Sequence, residues 1–118
     1  MLSFVPAPEK PIGSTETLAR ELGLDDANLA AFLGISAKTL SRRRVEGRWD
    51  PAESARLDLL ERTLEQATDL LGPRERAVRW LTSPLLGLEG HAPLELLTHL
   101  EGYERVKGAL YRQAYGMF

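Results

Sequence analysis

The chain has 118 residues, 43% hydrophobic and 27% charged, with 15 lysines and arginines against 17 acidic groups and a formal charge of -2. That is one ordinary domain, or two small units sharing a core, neither compositionally disordered nor coated in basic charge. With no cysteine and only two histidines, His91 and His99, it lacks the material for disulfides, thiolate metal sites, cysteine nucleophiles or a His-built metal cluster. No metal or cofactor is expected, and a reducing cytoplasm fits.

No apolar run approaches the roughly 20 residues that span a bilayer, so no membrane partner is expected. The opening MLSFVPAPEKPIG has neither the basic start nor the long apolar stretch of a secretory signal. Pro6, Pro8 and Pro11 predict an extended arm over residues 1–13.

Beyond the arm the chain reads as helical throughout, because Leu, Ala, Glu and Arg dominate and β-branched residues are sparse. Ser14 or Thr15 caps a helix running to about Leu22 and ended by Gly23. Asp25 or Asp26 caps a second, stopped by Gly34, and Ser36 caps a third, AKTLSRRRVE, stopped by Gly47. Asp50-Pro51 is a strong start signal, a cap followed by proline at the first helical position, and no Gly or Pro follows before Leu71. Within that long helix Leu57, Leu60, Leu64, Ala67 and Leu71 follow a 3-4-3-4 spacing, which suits either one face of a helical core or a subunit contact. Gly72-Pro73 opens a further helix, RERAVRWLTS, halted before Pro84. A loop follows, then a short helix begun by Pro93 and ended near Gly102, and a last helix from about Tyr103 to Tyr115 with Gly116 as its cap. Gly108 inside that last helix is costly unless another helix packs closely there.

Charge is uneven. Residues 34–56 carry six basic groups against three acidic ones, and this segment alone is net positive. It holds a moderately specific pattern, DDANLAAFLGISAKTLSRRR, which meets the demands of a helix-turn-helix. Ala30 is the small mid-helix residue, Gly34 stands at the turn, Ile35 plugs the core and Leu40 points inward. Lys38, Thr39, Ser41, Arg42 and Arg43 are left for an outer face. Such residues reach base edges and phosphates. Lys38, Arg42 and Arg43 are the candidates for base readout. Ser36 and Thr39 suit contacts near the helix N-terminus, and Arg44 and Arg48 suit backbone phosphates. Where the motif usually has a second inward apolar residue this chain has Arg43, so Val45 and Trp49 are expected to pack inward instead. One helix-turn-helix covers one half-site, so a homodimer on a palindromic operator is expected.

The run from Glu75 to Phe118 resembles the toxin-binding domain of the Xre/MbcA/ParS antitoxin family. The matching residues are Ala77, Trp80, Leu81 and Pro84, then Gly90, the P-L-E-L-L block at Pro93 to Leu97, Gly102, Val106, Leu110, Arg112 and Tyr115-Gly116. Upstream, Thr39 to Arg44 and Leu71-Gly72 match the Xre half, so the likeness covers about residues 15–118. In the loop before Pro93, Glu89 replaces a usual Gly and Ala92 a usual hydroxyl residue, which puts a helix cap in question.

The resemblance implies an all-α type II antitoxin. Its expected parts are an Xre-like helix-turn-helix unit over 14–56, a connecting helix over 57–72 and a toxin-binding domain over 73–118. It implies a partner of the RES-domain type that degrades NAD, a C-terminal segment covering that toxin's active site, repression of its own operon promoter, and higher toxin–antitoxin hetero-oligomers. Toxin contact is then expected from Trp80, Tyr111, Arg112, Tyr115, Gly116, Met117 and Phe118, the last three as an apolar tail suited to a dinucleotide cleft. Trp80 also suits a core position, and His99 suits a cap. Two other functions fit the residues: a helix-turn-helix repressor unrelated to a toxin, and an antitoxin that has lost DNA binding. An enzyme does not, since there is no Gly-rich phosphate loop, no G-x-S-x-G and no carboxylate beside a second catalytic type.

Overall fold

The computed structural model describes residues 12–116. Six α-helices follow in order among them: α1 (Ile12–Glu21), α2 (Asp26–Leu33), α3 (Ala37–Glu46), α4 (Pro51–Leu71), α5 (Arg74–Thr82) and α6 (Leu100–Tyr115). Two short 3-10 turns, Leu86–Leu88 and Pro93–Leu96, lie between α5 and α6. The protein is all-α. It divides into two compact units, one up to Ala55 and one from Arg56 onward.

The caps explain most helix boundaries. Asp25 accepts from the Asn28 N–H at the start of α2, and Ser36 accepts from the Thr39 N–H at the start of α3. Asp50 and Glu53 form a reciprocal capping box at α4: Asp50 Oδ1 accepts from the Glu53 N–H at 2.9 Å, and Glu53 Oε1 accepts from the Asp50 N–H at 3.2 Å. His99 Nδ1 accepts from the Gly102 N–H, so this histidine is the cap of α6. Ala92 offers no hydroxyl, but Glu95 Oε2 accepts the Ala92 N–H at 2.6 Å and supplies a bond from the other side of the turn.

Three expected boundaries move. The first helix begins at Ile12, so Ser14 and Thr15 lie inside it and the residues of the expected arm before it fall outside the described chain. The segment after Pro93 is a 3-10 turn rather than a helix. Gly102 lies inside α6, not at a helix end, because a Cβ there would overlap the Leu96 carbonyl oxygen; only glycine lets the first turn of α6 close over the 3-10 turn.

In the first unit the core gathers Leu18, Leu22, Leu29, Phe32, Leu33 and Leu40 around Trp49, which is fully buried. The indole N–H of Trp49 donates to Thr15 Oγ1 at 2.9 Å, so the buried donor of the largest side chain is satisfied. In the second unit Leu81, Leu88, Leu97, Val106 and Leu110 are buried. The α4 seam is core: Leu57, Leu60, Leu64 and Ala67 are all buried within the single chain, which removes the subunit-contact reading for them. Tyr103, also buried, accepts from Gln66 Nε2 at 3.1 Å.

Candidate nucleic-acid and partner interfaces

The turn between α2 and α3 is closed by Gly34 in the left-handed region (φ 72°), with the Ile35 N–H bonded back to the Ala30 carbonyl. This is the tight bend that a helix-turn-helix requires, and glycine takes it without strain. Helix α3 then presents two faces of different chemistry.

Its inner face holds Leu40, Arg43 and Arg44. Arg43 was expected among the base readers; its side chain is only 14% exposed and is clasped by three carboxylates. Arg43 Nε donates to Glu53 Oε1 at 2.7 Å and Nη2 to Glu53 Oε2 at 3.1 Å, a forked pair, with Asp50 and Glu46 each at 3.2 Å. Glu53 is itself buried, so Arg43 supplies the counter-charge that lets a carboxylate occupy the core edge. The Glu53 hydrogen bond pushes the Arg43 pKa up, against desolvation, so the guanidinium is permanently charged. Arg44, expected on phosphates, reaches back instead to Asp26 at 2.8 Å and to Glu16 at 3.2 Å. The hydrogen bond and then the charge of Arg44 hold the Asp26 carboxyl below its usual range. Two neighbouring arginines therefore fasten α3 to α1, α2 and the start of α4.

The outer face holds Lys38, Ser41 and Arg42, all exposed, and Val45 with them. Val45 was expected to pack inward and is 89% exposed; only Trp49 of that pair is buried. The reason is periodicity: at 100° per residue Val45 falls one turn beyond Ser41 and Arg42, while Leu40, Arg43 and Arg44 take the inward side. Ser36 is spent as the cap, its hydroxyl also donating to Thr39 Oγ1 at 3.1 Å. Arg48 lies past the helix end, where Arg43, Glu46, Arg48, Trp49 and Asp50 line a cleft of about 450 Å³. Among the described residues no group of His, Cys, Asp and Glu is placed to hold a metal ion, and no helix is long and apolar enough to cross a membrane.

In the second unit Trp80 lies in the core, 8% exposed, with no hydrogen-bond partner for its indole N–H. Tyr111 and Tyr115 stand on the solvent side of α6, their rings parallel to within 6° and 6.1 Å apart. Arg112 is exposed beside them. Gly116 caps α6 in the left-handed region, its N–H bonded to the Arg112 carbonyl. Met117 and Phe118 lie outside the described residues. The exposure of Val45 and of Leu86 carried no signal in the sequence, since an apolar residue at such positions reads as core.

The geometry defines a helix-turn-helix protein carrying a second, wholly helical unit. Residues 10–62 match the family model of the antitoxin Xre-like helix-turn-helix domain, and residues 66–116 match that of the antitoxin Xre/MbcA/ParS C-terminal toxin-binding domain. A protein named Antitoxin Xre from Yersinia enterocolitica is 33% identical over 94 residues. That match covers 78% of this chain and 64% of the relative, so it spans less than two thirds of the relative's length. The chain belongs to the Xre/MbcA/ParS antitoxin family.

Proposed function

We propose that the chain is the antitoxin of a type II toxin–antitoxin pair. It binds and inhibits a RES-type toxin that degrades NAD by covering the toxin's active site, and as a dimer it binds its own operon promoter in the cytoplasm and represses it. The observation that carries this reading is the tandem order of the two matched modules, helix-turn-helix first and toxin-binding domain second. It is not an enzyme in this reading, and it needs no cofactor.

On the DNA side, Lys38, Ser41 and Arg42 form an exposed stripe without a carboxylate among them, with Thr39 half-buried at its edge. Lys38 and Arg42 read base edges, and Ser36 and Thr39 approach a phosphate near the α3 N-terminus. Arg48 meets the backbone beyond the helix. Arg43 and Arg44 act indirectly, by fixing the angle at which the stripe is held. On the toxin side, Tyr111, Arg112 and Tyr115 offer two stacked aromatic rings beside a cation, the residue types that dominate protein interfaces. Trp80, buried in the same unit, serves its core, and Gly116, Met117 and Phe118 are proposed as the tail that meets the toxin's cleft.

The test is co-expression with the RES-type toxin, followed by size-exclusion chromatography, an NAD-consumption assay and a promoter shift assay at fixed salt. The expected result is a co-eluting complex that leaves NAD intact, NAD loss when the antitoxin is omitted, and a shift whose salt dependence is steep because phosphate contacts release counterions. A promoter shift without any complex would replace this reading with a plain repressor.

A further inference from the structure

Among the described residues of the first unit, Val45 is the one large apolar side chain left in solvent, 89% exposed. Its place is defined. Lys38, Ser41, Arg42 and Val45 are spaced i, i+3, i+4 and i+7, so they share one face of α3, and all four are exposed. Glu46, the one acid of α3, is engaged with Arg43 at 3.2 Å. From Lys38 to Val45 the stripe runs about 10 Å at the rise of an α-helix. That fits within the roughly 12 Å width of the major groove, which the second helix of a helix-turn-helix enters.

The last turn of α3 is held still. Gly47 caps it, its N–H donating to the Arg43 carbonyl at 2.8 Å, and Trp49 is buried two residues further on. Arg43 and Arg44 fasten the same turn to the neighbouring helices. Valine does little for the fold at position 45. It buries almost no surface there, and a branched side chain is a poorer helix former than lysine, glutamate or alanine. Its rotamer is already fixed by the helix, so contact costs it little freedom. It carries no donor or acceptor, and of the base edges in the major groove thymine presents a methyl group.

We infer that Val45 is a specificity-determining residue of the operator contact, its methyl groups seated on the 5-methyl of a thymine under the last turn of α3. The inference rests on the DNA-binding reading above and specifies one base of the operator. A second copy of this chain is a poorer receiver. A two-fold contact centred on Val45 would bring the neighbouring Arg42 side chains of the two copies together, and like charges repel. DNA phosphates match the same arginines.

The experiment is a promoter shift assay with the full chain at fixed salt, with melting curves and oligomeric state measured in parallel. The probes are the promoter duplex and duplexes in which each thymine in turn is replaced by uracil, which pairs identically and lacks the methyl. The parent should lose about fourfold in affinity at one thymine position of a half-site, the effect of one buried methyl group. Val45→Ala should lose about as much on the thymine duplex, be indifferent to uracil at that position, and melt with the parent because the side chain is exposed. Lys38→Ala should bind more weakly yet keep the parent's discrimination there. A Val45→Ala chain that still discriminates uracil at that position, or a parent that discriminates it nowhere, would overturn the inference. With Lys38→Ala and Arg42→Ala still weakening the shift, the DNA-binding reading would stand. Weaker binding by Val45→Ala with an altered oligomeric state and an unchanged uracil profile would overturn it in favour of self-contact. A parent that shifts no promoter would remove the DNA-binding reading and this inference together.

Discussion

The two units hold their surfaces in place by opposite means. In the first, polar groups do the fastening: five carboxylates, from Glu16, Asp26, Glu46, Asp50 and Glu53, gather around Arg43 and Arg44 and fix α3. In the second, backbone hydrogen bonds and buried leucines do the fastening, and apolar groups such as Leu86 and Tyr115 are left outside. The difference teaches that residue type does not tell which groups are available to a partner. In the basic segment the arginines nearest the core are already engaged, and in the apolar segment a leucine is free.

The largest test of the contrast is Trp49→Ala, which leaves a cavity at the centre of the first unit and removes the donor to Thr15. It should cost about 3–5 kcal/mol in urea denaturation, and a smaller loss would show that α3 is held by its arginines alone. Next is Arg43→Ala. It abandons the buried Glu53 carboxylate and should lower the melting temperature by about 5 °C or more. Promoter affinity falls with it, as a consequence of unfolding rather than of a lost contact.

Lys38→Ala and Arg42→Ala should behave in the opposite way. Each should lower promoter affinity by about five- to hundredfold if it reads a base, with the melting curve unchanged. Loss of stability in either would merge the two faces of α3 into one.

The smallest effect is electrostatic. Arg44 lowers the Asp26 pKa in the folded chain, so the pair contributes stability that is present above the ordinary aspartate range and is lost as pH falls through the depressed folded value. By carboxyl NMR titration Asp26 should titrate below a free aspartate, and Arg44→Gln should return it toward the ordinary value. Because Asp26 is largely exposed, the accompanying change in stability should be slight.

Much of this protein was legible from the chain alone. The caps Ser36 and Asp50-Pro51 marked two helix starts correctly, and the pair Asp25-Asp26 marked a third without deciding between them, since capping is chemistry between residues two or three apart; the structure makes Asp25 the cap. The helix-turn-helix was readable because Ala30, Gly34, Ile35 and Leu40 meet steric demands within a dozen residues. The all-α class followed from composition, and the family from the resemblance carried by Trp80, Pro93 and their neighbours. What only the tertiary structure decided were pairings between residues far apart in the chain. That Arg44 belongs to Glu16, 28 positions away, and that Trp49 belongs to Thr15, 34 away, leaves no periodic trace. The same holds for the seam of α4, whose spacing fits a core and a dimer equally until the chain's own side chains are seen to cover it. Val45 and Leu86 face outward by register: Leu40 and the paired arginines take the inward side of α3, and Leu88 is the leucine of its loop that is buried.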